Sequence, residues 1–332
     1  MKTICRIHRS LKAVFKGTLL FLVILSACET DPDVIDPEEV GIWKYYSKDN
    51  VLANNDIRSI KQDNEGIIWV GTYGGGVSKY NKGNWTHLRE RHGLLDDRVY
   101  SIEEDVYGDI WVGTAGGISI VSDEGMDNYE TLAGSYFLPL SLFSDSRGWM
   151  WIGTTQGVYI FDFHDVYPIQ FQNEDFNRIW AITEDNKNQV WFGTDGGALY
   201  YIEDQGFYPM TKADGLYGTN VSAILQDSWG DMWFGHWNTD KVTRWDGNDF
   251  EYINLQTGYT TASIMSMSED HRKNIWFTII ESGVAKYDGV IPVTFGLNNG
   301  LKDDYMQCSV IDTEGNVWLG SKTAGVHVYI PD

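Results

Sequence analysis

Side chains that could do chemistry are numerous in this chain of 332 residues, but few are grouped as catalysis or metal binding requires. Its seven histidines, at positions 8, 87, 92, 164, 236, 271 and 327, lack zinc-ligand spacing to each other or to a cysteine. Neither a calcium-loop pattern nor Gly-x-Ser-x-Gly occurs. The 47 acidic residues leave room for a catalytic carboxylate pair, although spacing alone nominates none. We therefore predict no metal, no cofactor and no catalytic residue, which leaves binding as the chemistry to expect.

The segment 236–240, His-Trp-Asn-Thr-Asp, is the strongest candidate for binding. Elsewhere in the chain the equivalent position is a short turn, mostly built on glycine, and Trp237 has no counterpart there. An aromatic ring beside polar side chains at a concave surface is typical of a ligand site. We therefore predict that Trp237, with His236 and Asp240, contacts a ligand. The alternative is that Trp237 folds over its own sheet.

A sequence repeat must position these residues. A five-residue unit typified by Ile-Trp-Val-Gly-Thr occurs seven times, and its tryptophans are 42, 40, 40, 42, 43 and 42 residues apart. A fixed period of this size indicates a ring or stack of one supersecondary unit. The seven copies are residues 68–72, 110–114, 150–154, 190–194, 232–236, 275–279 and 317–321.

Each repeat has the pattern of four short antiparallel strands, which is one blade of a β-propeller. In the first repeat a strand at 56–62 is followed by an Asp-x-x-Gly turn, whose carboxylate is expected to bond back to the turn amides. The tryptophan strand, a glycine turn and two further strands complete the unit. Asn188 takes the glycine position in the fourth copy, and Lys273 takes it in the sixth, where we expect the turn to differ locally.

The two ends of the repeat array complement each other. The last repeat stops after a third strand at 326–330, whereas residues 42–46 resemble a fourth strand without a blade. We predict that the N-terminal strand completes the seventh blade and hides the sheet edges that an open array exposes. The fold class is therefore all-β, a seven-bladed β-propeller spanning residues 41–332.

Hairpin geometry brings scattered loop residues to the same face as Trp237. These residues lie in turns between the second and third strands, and in loops that lead from one blade to the next. Trp180 and Tyr100 share one position of the innermost strand, where they either line the central channel or fill it. The residues predicted to face a ligand with Trp237, His236 and Asp240 are Tyr73, Asp195, Glu281, Lys322, Arg98, Tyr305 and Trp180.

Aromatic residues also occur in or beside the Asp-x-x-Gly turns, on the opposite face. Tyr107, Trp149 and Trp229 hold these positions. They could form a second stacking surface, but packing on the turn itself is the interpretation that we favour.

Residues 1–27 have the features of an export signal. Five basic residues precede a short apolar run at 18–25, which is too short to span a bilayer. The following Leu-Ser-Ala-Cys resembles a bacterial lipobox, so Cys28 is predicted to carry the lipid anchor. Residues 29–40 hold six acids and two prolines and are expected to form a solvated tether after the lipidated Cys28. The lipid is then the predicted membrane contact of an outer-membrane lipoprotein, periplasmic or surface-facing.

Charge excludes one class of partner. The formal net charge is −22, and without the signal segment 20 basic residues face 47 acidic ones. Such a surface repels phosphate backbones, so nucleic acid is not an expected partner. Cys308, at a strand position that other repeats give to serine or alanine, is predicted to be a small buried residue.

The motifs together resemble the two-component regulator propeller family. The resemblance is carried by the Asp-x-x-Gly turn, the Ile-Trp-x-Gly-Thr strand, the Gly-Gly turn and the Gly-Leu-x-Asp-Asp run at 93–97. Proteins of this family are often extracytoplasmic sensor halves of hybrid sensor kinases, many of them thought to bind oligosaccharides. The resemblance therefore implies a sensing or binding role, here in a sequence without a kinase.

We expect a monomeric, non-catalytic accessory module that binds a carbohydrate or a partner protein. An enzymatic alternative is a lyase or hydrolase with its site at the channel mouth. A third is a structural scaffold in a surface complex.

Overall fold

Seven antiparallel sheets of four strands each follow one another along the chain and form a β-propeller. The structure is a computed structural model and describes residues 41–132, 134–258 and 261–331. The predicted signal peptide (1–27), the lipidated Cys28 and the tether (28–40) lie outside the described residues. The predicted fold class, all-β with seven four-stranded blades, is confirmed.

Each blade runs outwards from an inner strand. The inner strands are Ile57–Gln62, Val99–Glu104, Ser141–Ser144, Ile179–Glu184, Val221–Gln226, Ser263–Glu269 and Met306–Ile311. The second strands, which carry the repeated tryptophans, are Ile68–Thr72, Ile110–Thr114, Met150–Thr154, Val190–Thr194, Met232–His236, Ile275–Ile280 and Val317–Ser321. The third strands are Gly76–Asn81, Gly117–Ser122, Gly157–Phe161, Gly197–Ile202, Lys241–Trp245, Gly283–Tyr287 and Val326–Ile330. The outer strands are Asn84–Leu88, Gly125–Tyr129, Val166–Ile169, Gly206–Met210, Phe250–Asn254, Pro292–Phe295 and, in blade 7, Ile42–Tyr46.

Few elements lie outside the blades. A short hairpin, Thr131–Leu132 with Ser135–Tyr136, connects blades 2 and 3, and the described part of the chain has two 3-10 turns, at Glu90–His92 and Glu174–Phe176. Among the described residues, no helix has the length and apolar character needed to cross a bilayer.

The ring closes as the sequence predicted. The N-terminal strand Ile42–Tyr46 pairs antiparallel with Val326–Ile330, in a register that places Ile42 opposite Ile330 and Tyr46 opposite Val326. Successive inner strands contact each other, and the inner strand of blade 7 contacts that of blade 1. Pairing between the two ends of the fold covers the strand edges that an open array would leave exposed.

The aspartate of every Asp-x-x-Gly turn has the same partners. In blade 1, Oδ1 of Asp63 accepts hydrogen bonds from the backbone N–H groups of Glu65 and Ile67, as predicted. Its Oδ2 accepts a further bond from the indole Nε1–H of Trp69, which the sequence did not predict. All seven blades repeat this indole bond, over 2.6–2.9 Å. Each turn is therefore fastened to the tryptophan strand that follows it.

The turn of blade 6 does not differ from the others, so the prediction made from Lys273 is wrong. Asp270 caps the N–H groups of Arg272 and Asn274 in the usual way. Lys273 adopts the left-handed conformation that glycine takes elsewhere, with φ of +71°. Because the hydrogen bonds fix the turn, they hold the backbone of Lys273 in this strained conformation. Asn188 does the same in blade 4.

Each buried tryptophan packs between its own blade and the next. Trp69 belongs to an apolar cluster with Val99 and Ile102 of blade 2, and Trp151 to one with Ile179 and Phe192 of blade 4. The apolar core is therefore a ring of contacts between sheets. Cys308 is buried as predicted, and this burial raises the pKa of its thiol to about 12.

Candidate functional site

A bulge near the start of the inner strand sets the geometry of one face. In six blades the pairing with the second strand skips one residue there; blade 1, for example, pairs Ile57 with Thr72 and Ser59 with Gly71. A bulge leaves one residue out of the ladder and re-aims its side chain. The bulged residues adjoin the turns between the second and third strands. They are Arg58, Tyr100, Trp180, Ser222, Met265 and Gln307.

The loops between blades share this face with those turns, as hairpin geometry predicted. Backbone bonds connect the two sets: Gly74 donates to the carbonyl of Asp97, over 2.9 Å, and Trp237 donates to that of Asn220, over 3.3 Å. We call this side of the propeller the mouth face. Its sequence varies from blade to blade, whereas the opposite face repeats the aspartate turn.

The predicted residues Trp180, Asp195 and Trp237 meet on the mouth face, at blades 4 and 5. The indole Nε1–H of Trp180 donates to Oδ1 of Asp195 over 2.7 Å. The rings of Trp180 and Trp237 have centroids 5.6 Å apart and are tilted by 52°. Nδ2 of Asn220 also donates to Oδ1 of Asp195, over 3.2 Å, and a guanidinium nitrogen of Arg178 lies 3.7 Å from Oδ2. These five residues are called the tryptophan site below.

Two groups of the tryptophan site retain bonding capacity. The indole Nε1 of Trp237 is buried and has no hydrogen-bond partner among the described residues. A buried N–H without an acceptor destabilises the free protein, so an acceptor that reaches this atom, a water molecule or a ligand oxygen, is favoured. Within the described residues, the Oδ2 atom of Asp195 faces the half-exposed Arg178 across a long ion pair. The site therefore offers one donor and one charged acceptor beside two aromatic rings.

His236 does not face a ligand, although it adjoins Trp237. Its ring is fully buried. Nδ1 lies 3.3 Å from the carbonyl oxygen of Asn220, and Nε2 lies 2.8 Å from Oγ1 of Thr243. Burial lowers the pKa of His236 to about 4. The residue occupies the place of the repeat threonine, and both nitrogens are engaged in holding the widened hairpin of blade 5.

Four other predicted residues form two separate pairs on the mouth face. Tyr73 makes a backbone bridge to Arg98, and the Arg98 guanidinium is paired with Asp96. The Nζ atom of Lys322 lies 4.3 Å from the ring centroid of Tyr305. Each cation is therefore already partnered. Within the described residues, no hydrogen bond, ion pair or ring contact joins either pair to the tryptophan site.

The last two predicted residues, Asp240 and Glu281, lie apart. Glu281 is exposed and has φ of +61°. Asp240 lines an open groove of about 690 Å³ on the outer side of the blade 5 loop. Its remaining lining residues are Tyr217, Asn238, Thr239, Lys241, Asn254, Gln256 and Gly258.

Sequence reasoning missed Arg178 and Asn220 as members of the site. A signal for both was present, because each directly precedes an inner strand. Arg98 and Tyr305, which were nominated, precede the inner strands of blades 2 and 7 in the same way. The position directly before the inner strand therefore marks all four residues.

The opposite face holds a smaller cavity, of about 250 Å³, between blades 6 and 7. Two polar groups in its lining belong to a turn: Asn274 donates to Asp270, and the same Asp270 carboxylate holds the indole of Trp276. The repeat therefore accounts for these groups without a ligand.

The prediction that the opposite-face aromatics pack on their turns is wrong for two of the three. Tyr107 is 72% exposed and Trp229 is 65% exposed. Both lie two residues after the turn aspartate, whose carboxylate occupies the inside of the turn, so their side chains point outwards. Trp149 lies four residues after its aspartate and is half-buried, with the Arg147 guanidinium carbon 4.4 Å from its ring centroid.

Comparison with known proteins identifies the repeat. The family model for the two component regulator propeller matches residues 51–74, 93–116 and 173–196. Each stretch runs from the loop before a blade to the turn after its tryptophan strand. The chain thus carries repeats of the two-component regulator propeller family, and the resemblance inferred from its motifs is confirmed. No curated protein matches the sequence.

Solved structures with the same fold have diverse roles. The extracellular domain of a protein assigned as a hybrid two component system in B. thetaiotaomicron superposes with a TM-score of 0.76 and 23% identity, over 88% of this chain and 41% of that one. Our chain thus spans about two fifths of that domain. Virginiamycin B lyase from Staphylococcus aureus, solved with quinupristin, superposes with a TM-score of 0.72 and 14% identity, over 87% of this chain and 99% of that one. YCF48 bound to D1 peptide superposes with a TM-score of 0.65 and 8% identity, over 87% of this chain and 96% of that one. These likenesses define the fold, which does not by itself select a function.

Proposed function

We propose that this chain is a ligand-binding module that takes a carbohydrate at the tryptophan site and does not transform it. The observation that carries the proposal is the unpartnered indole N–H of Trp237, buried beside the ring of Trp180 and close to the Asp195 cluster. The matched repeat is that of the two component regulator propeller, and one solved structure of the same fold is the extracellular domain of a hybrid two component system, which supports a role in ligand recognition.

The chemistry of the site suits a sugar ring. A pyranose presents C–H groups on its faces and hydroxyl groups around its edge. The indoles offer apolar surface to the C–H groups, worth about 25 cal/mol per Å² removed from water. A hydroxyl that donates to the Asp195 carboxylate gains about 1.5–3 kcal/mol, because one partner is charged. The polar contact therefore sets the orientation of the sugar ring, and stacking adds apolar burial.

Residues with acid–base or nucleophilic chemistry are few at the tryptophan site. Asp195 is its one carboxylate, and its other members are an arginine, an asparagine and two tryptophans. The neighbouring histidine, His236, has both nitrogens engaged. Glycoside hydrolysis by the usual mechanism requires a second carboxylate that flanks the scissile bond. The described residues of the site supply none, which supports binding without turnover.

The proposal includes a location outside the cytoplasm, as a monomer held by lipid at Cys28. It is supported by the lipobox-like sequence and by the extracellular relative. Labelling cells that express the chain with radioactive palmitate tests this part. Incorporation that disappears in Cys28→Ala supports the anchor, and equal labelling of both proteins contradicts it.

The binding proposal is tested with the purified chain on an array of plant, fungal and animal oligosaccharides. Calorimetric titration then follows for the glycans that bind. Trp237→Ala is expected to abolish binding without altering the unfolding temperature by more than a few degrees. Trp229→Ala is the matched control, because it removes an exposed tryptophan from the opposite face. Both variants must be compared with the unchanged chain.

Three results would overturn this assignment. If no oligosaccharide of the array binds, a carbohydrate ligand is excluded. Recovery of a cleaved or eliminated product makes the chain an enzyme. Equal loss of binding in Trp229→Ala moves the site to the other face.

A further inference from the structure

We infer that His236 is a positioning residue of the tryptophan site, and that protonation of its imidazole in acid loosens that site. The inference rests on the proposed function and adds a residue behind the contact surface, together with a condition that regulates the site. The ring of His236 is fully buried, so it acts through other residues. These are Asn220, to whose carbonyl it bonds, and Trp237, the next residue in the chain.

The repeat normally places a threonine or serine hydroxyl at the position of His236. In blade 3 the Thr154 hydroxyl donates to the carbonyl of Gly157 and accepts from the N–H of Gln156, so it fastens the turn of its own blade. Blades 1, 2, 4 and 7 repeat both bonds. In blade 5 an imidazole replaces the hydroxyl and bonds to Asn220, in the loop that comes from blade 4. The replacement thus transfers a fastening from the turn to the loop between blades.

A continuous series of hydrogen bonds runs from the buried ring to the surface of the site. The carbonyl of Asn220 lies 3.3 Å from Nδ1 of His236 and accepts from the backbone N–H of Trp237, also over 3.3 Å. The side-chain amide of Asn220 donates to Asp195, which also accepts the indole N–H of Trp180. Asn220 therefore joins the imidazole to both tryptophans, and its position depends on the imidazole.

The bonding partners of the ring define its protonation. A carbonyl oxygen can only accept, so Nδ1 carries the hydrogen, and Nε2 accepts from the hydroxyl of Thr243 over 2.8 Å. That hydroxyl in turn accepts from the backbone N–H of Tyr217, three residues before Asn220. The neutral ring thus holds the loop at two points. A proton on Nε2 sets two donors against each other, so the ring and the hydroxyl must turn or separate.

The loop backbone lies directly on the imidazole. A Cβ atom at Gly218 would be 3.0 Å from both Cγ and Nδ1 of His236, which is closer than ordinary van der Waals contact. The absence of a side chain at Gly218 therefore lets the loop reach the ring. Because the two are in contact, a ring that turns or separates from Thr243 displaces the loop.

Other ionisable groups on the elements around the ring do not bond to it. Among the described residues, no hydrogen bond or ion pair joins a charged side chain to the imidazole. Burial therefore dominates and lowers the pKa of His236 to about 4, against the bond to Asn220, which raises it. The ionisable groups are Lys212, Asp214 and Tyr217 of the loop, Asp240, Lys241 and Arg244 of the blade 5 hairpin, and Arg178 and Asp195 of blade 4.

Indole signals test the inference without a ligand. The chain labelled with 15N-tryptophan and 13C-histidine is titrated from pH 7.5 to pH 4 and followed by nuclear magnetic resonance. We expect the indole N–H signals of Trp237 and Trp180 to shift with the same midpoint as the ring of His236. The variant His236→Asn keeps an N–H donor at the place of Nδ1 and does not titrate. That shared shift should therefore disappear in the variant, which keeps every carboxylate of the mouth face.

Affinity is the second readout, measured by calorimetry at pH 7.5 with the oligosaccharide of the array that binds most tightly. His236→Leu fills the buried place without either bond and is expected to weaken binding about tenfold, the size of one lost hydrogen bond. His236→Asn is expected to restore most of the affinity. Thr154→Val is the matched control, because it removes the equivalent bonds in blade 3 and should leave the affinity unchanged.

Several outcomes overturn the inference. One is a Trp237 indole that stays in place while His236 takes up its proton, and another is an equal shift in His236→Asn. Unchanged affinity in His236→Leu, or an equal loss in Thr154→Val, also overturns it and leaves the proposed function standing. If no oligosaccharide binds, the proposed function fails, and the indole titration alone decides whether His236 positions the two tryptophans.

Discussion

Asp185 and Asp195, ten residues apart in blade 4, make the same kind of bond on opposite faces of the propeller. Asp185 accepts the indole N–H of Trp191 over 2.8 Å, and Asp195 accepts that of Trp180 over 2.7 Å. The first bond has six counterparts and lies within a buried turn. The second occurs once among the described residues, and its carboxylate is partly exposed. One face therefore uses the pairing to build the fold, and the other leaves part of its bonding capacity for a ligand.

The largest expected effect comes from removing a tryptophan of the repeat. Trp191→Ala empties a fully buried position between blades 4 and 5, and it should lower the free energy of unfolding by about 3–5 kcal/mol. Urea unfolding followed by circular dichroism measures the loss. The exposed Trp229→Ala should change the same quantity by less than about 0.5 kcal/mol. Similar losses in the two variants would contradict the difference between buried repeat tryptophans and surface ones.

His236 should make the mouth face sensitive to acid. Its pKa is about 4 in the folded chain and 6.5 ordinarily, because burial disfavours the charged ring. Between these values the unfolded chain binds a proton that the folded chain does not, so stability falls as pH drops from about 6.5 to about 4. We expect His236→Thr to reduce that loss by up to about 3 kcal/mol. The measurement is urea unfolding at pH 7.5 and pH 4.

His327 is the internal control for this prediction. Burial also lowers its pKa to about 4, and it remains in the His236→Thr variant. The variant should therefore keep part of the acid sensitivity. An unchanged pH dependence would mean that His236 is protonated, or solvated, in the folded chain.

The matched aspartates give the next largest effect. Asp185→Ala removes the acceptor of one indole and two backbone N–H groups, which stay buried in the turn. It should lower the free energy of unfolding by about 2–3 kcal/mol. Asp195→Ala should lower it by less than about 1 kcal/mol and should abolish glycan binding. Unfolding and calorimetric titration of both variants check the pair, and reversed effects would refute the assignment of the two faces.

The smallest expected effect is an increase in the free energy of unfolding. Lys273 holds φ of +71° in a turn where most other blades have glycine. Lys273→Gly should therefore raise the free energy of unfolding by about 0.5–1 kcal/mol, since the strain is relieved. Thermal unfolding measures it, and Lys187→Gly, in a turn position without positive φ, is the control. A loss in Lys273→Gly would show that the turn is not strained.

The strands and turns of the repeated face were predictable from the sequence. Seven copies of one pattern fix strand order, blade number and the aspartate turn, because a hairpin bond in one copy must recur in the others. The indole bond was not predicted because sequence spacing gives no interatomic distance. Nothing in the spacing of Asp63 and Trp69 shows that Oδ2 of the aspartate reaches Nε1 of the indole. The error at Lys273 arose because residue type was given more weight than the hydrogen bonds that fix the turn.

The mouth face was predictable only in part. Trp237 was identified because it breaks the repeat, and Trp180 and Asp195 were assigned to the same face by hairpin geometry. Which residues on that face touch depends on inner-strand bulges and side-chain directions, which a sequence does not display. For the same reason His236 was included among the residues predicted to face a ligand, although the widened hairpin of blade 5 buries it. Arg178 and Asn220 were missed although each directly precedes an inner strand, the position that Arg98 and Tyr305 hold in other blades.

Nuclear magnetic resonance of the chain labelled with 15N-tryptophan tests the central claim most directly, because the fourteen indole N–H groups report both faces at once. Addition of a glycan that binds should shift the signals of Trp180 and Trp237 most strongly. The seven indoles bonded to turn aspartates should stay in place and resist exchange with solvent. Shifts confined to the turn indoles, or to Trp149 and Trp229 on the opposite face, would contradict the account.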